Sequence, residues 1–233
     1  MNGKAIIKFL VVIAAIIGLF AYFIQPLAGS LKQGLDLQGG THIVLEAEDS
    51  ATGTADNDAV ERAKQILERR INEMGLSEPL VQREGARRII IELPGVKDPD
   101  EAIKRIGKTA VLEFKNDQGQ TVMTGDDLKD AKEELGQNKQ PLVAIELSDE
   151  GAKKFADLTS KNIGRRIAIT LDGKELTNPV VQQAITGGKA TISGSQSLEE
   201  AKDLAILLRS GALPVKINVL EVRTAVSYTH LRA

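Results

Sequence analysis

The apolar positions of this chain fall into two regimes. Phe9 to Ile24 reads FLVVIAAIIGLFAYFI without a charge, and with Ala5, Ile6 and Ile7 it reaches about the 20 residues that a bilayer core requires. Lys4 and Lys8 stand on its amino-terminal side, where Lys8 can extend towards the headgroups. This predicts a membrane anchor over residues 1–28, with a cytoplasmic start and everything after Pro26 carried across the membrane. A cleaved signal peptide is the competing reading, but QPLAGS is a poor match to the small residues that cleavage needs.

Beyond Gly29 the spacing switches between periods of two and of three to four. His42 to Glu48 alternates, with Ile43, Leu45 and Ala47 on one face, and predicts a half-buried strand. After a polar loop, Asp58 is placed to cap a helix with the apolar stripe Val60, Ala63, Leu67, Ile71 and Met74, joined by Ile66 and ended by Gly75. Strands follow at Pro79 to Arg83 and Arg88 to Leu93, with a hairpin tip near Glu84-Gly85. Asp98 caps a second helix with Pro99 in its first position, and Ala110 to Lys115 is the expected closing strand. The order is β-α-β-β-α-β, the split ferredoxin-like form, which makes residues 29–115 a first unit of α+β class.

Residues 141–224 read as a second half repeating that order. Leu142 to Leu147 alternates, and Ser148 caps a helix bearing Ala152, Phe155, Ala156 and Ile163. Arg166 to Leu171 is a strand ended by the hairpin pair Asp172-Gly173. A loop and short helix at Pro179 to Ile185 precede the strand Ala190 to Ser193. Ser197 and Glu200 form a capping box for a helix through Arg209, stopped by Gly211 and Pro214, and Val215 to Val222 supplies a last strand. Between the halves, residues 116–140 are polar, with one short amphipathic piece around Leu128 to Leu135, and read as a linker or small accessory lobe.

Composition narrows the function. A net charge of −2 gives none of the basic surface that nucleic-acid binding needs, and aromatics at 3% leave little for base stacking. Cysteine is absent, so disulfides, thiolate nucleophiles and cysteine metal sites are excluded.

At GLDLQGGTHIVLE, Gly34 to Glu46, the chain resembles the opening motif of the SecD family, just after that family's first transmembrane helix. The blocks ERRINEMGLSEPLVQ (68–82), RIIIELPGVKDP (88–99) and GKTAVLEF (107–114) resemble the next ones in order. So do LTSKNIGRRIAITLDGK (158–174), ITGGKATISG (185–194) and EEAKDLAILLRSGALPVKINVLEVRT (199–224). The resemblance implies a Sec-pathway component in the bacterial cell membrane. Its implied partners are SecF, the translocation channel, unfolded secretory chains and the lipid bilayer. It also implies a large extracytoplasmic region, called P1 in the family, with a ferredoxin-like base and a small mobile lobe. Proton-motive-force coupling belongs to later transmembrane helices of the family. After Thr224 the tail AVSYTHLRA, within 225–233, has no family counterpart and reads as a truncation artefact.

Within the motif, Gly34, Leu35, Asp36, Leu37, Gly39 and Gly40 are expected to serve structure or coupling. The glycines do not form GxGxxG and follow no strand, so a phosphate cradle is not indicated. Asp36 is read as a capping or salt-bridging carboxylate. His42 lacks a nearby partner for a metal, and the clusters Asp56-Asn57-Asp58 and Asp126-Asp127 lack the spacing of a calcium loop. Arg69-Arg70 and Arg87-Arg88 offer contacts to acidic lipid or a partner surface, but are read as pairs facing water. No G-x-S-x-G elbow or triad context is present, which leaves no catalytic, cofactor or metal site to assign and argues against a hydrolase. An acylphosphatase would need a phosphate-binding arginine loop near the first strand, and an RNA-binding domain would need aromatics on its central strands; neither is there. A client-gripping surface is expected on 116–140. The alternative to a transport component is a free-standing, membrane-tethered interaction domain.

Overall fold

The computed structural model describes residues 39–225 apart from 50–52, 77, 78 and 97, together with the helical positions 12, 13, 16 and 18. The anchor, the motif residues Gly34, Leu35, Asp36 and Leu37, and the tail from 226 onward lie outside the described residues. Among the described residues, no helix is long and apolar enough to cross a membrane.

Two units are built from this chain. In the base unit, β1 (Gly40–Glu48), β2 (Leu80–Glu84) and β3 (Arg88–Pro94) form an antiparallel sheet with α1 (Asn57–Glu73) and α2 (Pro99–Ile106) packed on it. Alternation in β1 does what period two predicts: Ile43, Leu45 and Ala47 are buried against Val60, Ala63, Leu67 and Ile71 of α1. The helix begins two residues earlier than expected. Asp56, in extended conformation, accepts from Ala59 N at 2.7 Å, so Asp56 is the cap and Asp58 an acidic first-turn residue facing the positive helix end. Asp98 caps α2 as expected, accepting from Glu101 N at 3.1 Å, with Pro99 following it.

The first unit does not close as the sequence suggested. Leu112–Lys115, here β4, leaves the base and joins another sheet. The fourth base strand is β11 (Lys216–Ala225), which returns from the far end to pair with β1 from Gly40↔Ala225 to Glu48↔Lys216 and gives the order β11-β1-β3-β2. The proposed repeat therefore fails: its last strand belongs to the first sheet. Nothing local in Val215 to Val222 distinguishes the two partners; the choice is made by the facing residues of β1.

Everything between α2 and β11 is an inserted unit. It holds a sheet β5-β4-β8-β9, from β5 (Thr121–Thr124), β4, β8 (Ala168–Leu171) and β9 (Lys174–Thr177). A second sheet, β10-β7-β6, comprises β10 (Lys189–Ser193), β7 (Pro141–Leu147) and β6 (Leu128–Leu135). Residues 116–140 are thus neither linker nor separate lobe, because β5 and β6 are edge strands of these sheets. Helix α3 (Asp149–Lys161) stops before Ile163, which is exposed, and the expected short helix at 179–185 is instead an irregular strand-like segment. Phe114 meets Phe155 edge-on at 5.9 Å inside the core of this unit. Helix α4 (Leu198–Ser210) starts with exposed charges and is buried throughout from Leu204 to Leu208: Leu204 and Leu208 pack into the inserted core, while Leu207 lies beside Met74 and Arg70 of the base helix. Its cap, Ser197, accepts from Glu200 N at 3.1 Å, but the Glu200 carboxylate reaches Gln196 N at 2.6 Å, not Ser197, so the expected box is only half made.

Candidate functional site

Two places in this architecture combine unusual chemistry with a position that function can use. The first is the junction where the chain crosses between the units, after α2 and again after α4. Arg70 of α1 is fully buried there, at 0% exposure, and makes no ion pair among the described residues. Its guanidinium donates to Ile106 O (2.7 Å), Lys108 O, Thr109 O (3.5 Å) and Gly211 O (2.8 Å), and its Nε donates to Ser210 Oγ (3.1 Å). Ile106 ends α2, and Ser210 with Gly211 ends α4, so one cation serves the carbonyl-bearing, negative ends of two helices. Desolvation pulls the Arg70 pKa down to about 10, with Asp172 opposing that shift. The group stays charged at neutral pH.

Asp172 fixes the same crossing from the other side. It sits at the β8–β9 turn with φ +50, and its carboxylate accepts from Ala110 N (3.1 Å) and Val111 N (2.9 Å). Ala110 itself has φ +60, a conformation that a residue with a Cβ adopts at a cost. Leu213 N donates to Thr109 O at 2.8 Å and ties the second crossing to the first. Nearby, Arg209 of α4 bonds Glu73 of α1 at 3.0 Å, another link between the units.

Sequence reading took Arg69-Arg70 as a water-facing pair, and for Arg70 the structure reverses this. The signal was present. Counting from Ala63, positions 67, 70 and 74 stay on the apolar arc of α1, so Arg70 falls on the buried face and Arg69 off it. His42 lies in β1 with its Nδ1 3.5 Å from Glu92 of β3, and among the described residues no cluster suited to a metal ion occurs. Gly39 and Gly40 are buried where the chain enters the base sheet; Gly39 has φ +71 and its carbonyl accepts from Gly95 N at 3.1 Å.

The second place is a groove of about 790 Å3 in the inserted unit, between the β10-β7-β6 sheet and the segment 179–185. Ile145, Phe155, Ile169 and Val181 floor it, and Val180 stands 46% exposed at its edge. The rim is charged, with Lys132 to Asp130 at 3.0 Å and Lys129 to Glu146 at 2.6 Å. Segment 179–185 is pinned at both ends: Val181 N donates to Arg165 O (2.9 Å) and Ile185 N to Thr159 Oγ1 (3.0 Å), leaving Gln182 and Gln183 exposed between them. Sequence placed gripping surface on 116–140. Only Asp130, Ala131, Lys132 and Glu134 of that stretch line the groove, and most of its wall was not foreseen.

The chain matches the family models for the SecDF P1 head subdomain over residues 103–215, the amino-terminal part of the SecDF P1 domain over 60–119, and the SecD/SecF GG motif over 31–51. It is similar to a solved structure described as "Structure and function of a membrane component SecDF that enhances protein export", at 40% identity and TM-score 0.71, covering 78% of this chain and 99% of that one. The chain belongs to the SecD/SecDF family.

Among SecD relatives, the protein translocase subunit SecD of Acidaminococcus fermentans is 57% identical over 224 residues, covering 96% of this chain and 54% of that protein. The subunit SecDF of Thermus thermophilus is 42% identical over 236 residues, covering 85% of this chain and 32% of that protein. The crystal structure of SecDF in its super-membrane-facing form aligns with TM-score 0.75 at 41% identity, over 83% of this chain and 31% of that one. The chain spans about half the length of the curated SecD relative from A. fermentans. The match over 103–215 brackets the inserted unit, and the junction held by Arg70 lies at both its ends.

Proposed function

We propose that this chain is the membrane-anchored, extracytoplasmic arm of a SecD-type subunit of the Sec export machinery, acting with SecF beside the translocation channel. Residues 1–28 are the anchor, the β11-β1-β3-β2 sheet with α1 and α2 is a ferredoxin-like base, and the inserted unit engages unfolded secretory chains. Gly34, Leu35, Asp36, Leu37, Gly39 and Gly40 join anchor to base. The work is binding and release without bond chemistry, coupled in the full-length protein to the proton-motive force. The observation that carries this reading is the open, apolar-floored groove bordered by the exposed Gln182-Gln183 edge. Such a floor gains by covering apolar side chains of varied sequence, which suits a client with no fixed structure.

A photo-crosslinking residue at Gln183 of the full-length subunit is expected to capture a secretory chain arrested in the channel, while one at exposed Glu84 of the base is not. Equal yields at the two positions would remove the groove from the reading.

A further inference from the structure

Helix α1 has a second face, away from Arg70, on which Ile66 is partly buried against the edge of the base core and the arginines beside it are exposed. Arg62, Ile66 and Arg69 recur at helical spacing and line a groove of about 570 Å3 between the base and the inserted unit. Its opposite wall and floor bring in Val111, Ala212 and Asp126. Among the described residues, neither Arg62 nor Arg69 has an ion-pair or side-chain hydrogen-bond partner. Other arginines close to the junction are satisfied: Arg105 pairs with Asp203 at 3.1 Å, Arg165 with Asp117 at 2.9 Å and Arg209 with Glu73 at 3.0 Å. Two unpaired guanidiniums therefore flank Ile66 and outnumber the single carboxylate of the groove, Asp126.

The spacing limits what fits. Seven residues of α-helix set Arg62 and Arg69 about 10.5 Å apart along the axis. In a polyproline-type strand, residues three apart share a face and lie about 9.3 Å apart, a difference that long arginine stems absorb.

We propose that this groove docks an extended, acidic polypeptide segment of a partner, with carboxylates three residues apart on Arg62 and Arg69 and an apolar side chain between them over Ile66. Each guanidinium offers a planar fork to a carboxylate, which favours this ligand over an isolated apolar chain. The site is separate from the groove under 179–185 and does not depend on client binding there. Because both of its walls meet at the crossings, an occupant would bridge base and inserted unit.

The test uses the full chain in detergent micelles and a fluorescein-labelled peptide, Pro-Glu-Pro-Leu-Glu-Pro, followed by anisotropy. The double variant R62E/R69E is expected to bind at least about tenfold more weakly, as is wild type in 0.5 M NaCl. Replacing the peptide glutamates by glutamine should abolish binding, and replacing them by lysine should restore binding to R62E/R69E only. Both arginines are exposed, so the variant should melt with wild type and a folding defect is separable. Unchanged peptide affinity in R62E/R69E, or no rescue by the lysine peptide, overturns the proposal. So does binding to phosphatidylglycerol vesicles, lost in the variant, without binding to the peptide, since the arginines would then be reading a membrane.

Discussion

The base and inserted units are both antiparallel sheet with helix, yet they bury their residues differently. In the base, strand β1 is flanked by β11 and β3, its apolar face is covered by α1 and α2, and a single core runs from Ile43 to Val215. The inserted unit divides its strands between two small sheets and leaves an open apolar-floored groove between one of them and the segment 179–185. The difference separates holding from gripping. A closed core suits a platform, whereas a surface that accepts varied segments has to leave part of its apolar lining uncovered. Between them the crossings are held by polar groups: a buried guanidinium from one side and a turn carboxylate from the other.

If that contrast is right, the junction is where the two units can be uncoupled. Arg70→Met removes the cation and leaves the carbonyls of Ile106, Lys108 and Gly211 without their donor. A loss of about 3–5 kcal/mol is expected, read as a large fall in midpoint in urea unfolding, with hydrogen exchange rising at the crossings. A shift under about 1 kcal/mol would mean that apolar packing of α4 against α1 holds the units and Arg70 is incidental.

The carboxylate side should weigh less. Asp172→Ala frees the amides of Ala110 and Val111 at a partly exposed position, for an expected cost of about 1–2 kcal/mol, confined to the inserted unit and the first crossing. If protection were lost equally across the base strands, the two units would be one cooperative body and the contrast between them would be architectural only.

The smallest effect lies within the inserted unit. Hydrogen bonds from Lys115 and then Thr121 hold the Glu113 carboxyl below its ordinary value of 4.5. A depressed acid contributes stability above its unfolded pKa, and that contribution is lost as pH falls through the folded value. Glu113→Gln should therefore lower stability slightly at neutral pH and flatten the acid limb of the profile below about pH 4.5, so that variant and wild type converge in acid. An unaltered acid limb would show that the lysine and threonine contacts do not persist in solution.

How much of this was written in the chain depends on the range of each interaction. Asp98-Pro99, Ser148 and Ser197 mark helix starts, and Asp172-Gly173 marks a hairpin, because caps and tight turns are settled within three or four residues. Alternation in β1 and the stripe of α1 were equally legible, since periodicity reports which face is buried. The family motif around Gly39 and Gly40 was legible as well, by resemblance. Even the burial of Arg70 was available in the phase of its helix, had the adjacent charge of Arg69 not suggested a solvated pair.

Which strand closes the base was decided elsewhere. Lys216–Ala225 has the composition of a strand anywhere, and only the facing β1 residues, far away in sequence, choose its sheet. Asp172 gives a turn from its local sequence, but its carboxylate reaches the amides of Ala110 and Val111 only because the tertiary fold brings the crossing there. Local pattern settled most helix starts, the hairpin turns and the buried faces of β1 and α1, which short-range geometry and solvation control, but it missed the strands β5 and β6 and the strand-like segment 179–185. The insertion, the junction and both grooves arose only when distant segments paired, because strand pairing and helix-end contacts are made between residues that no local pattern relates.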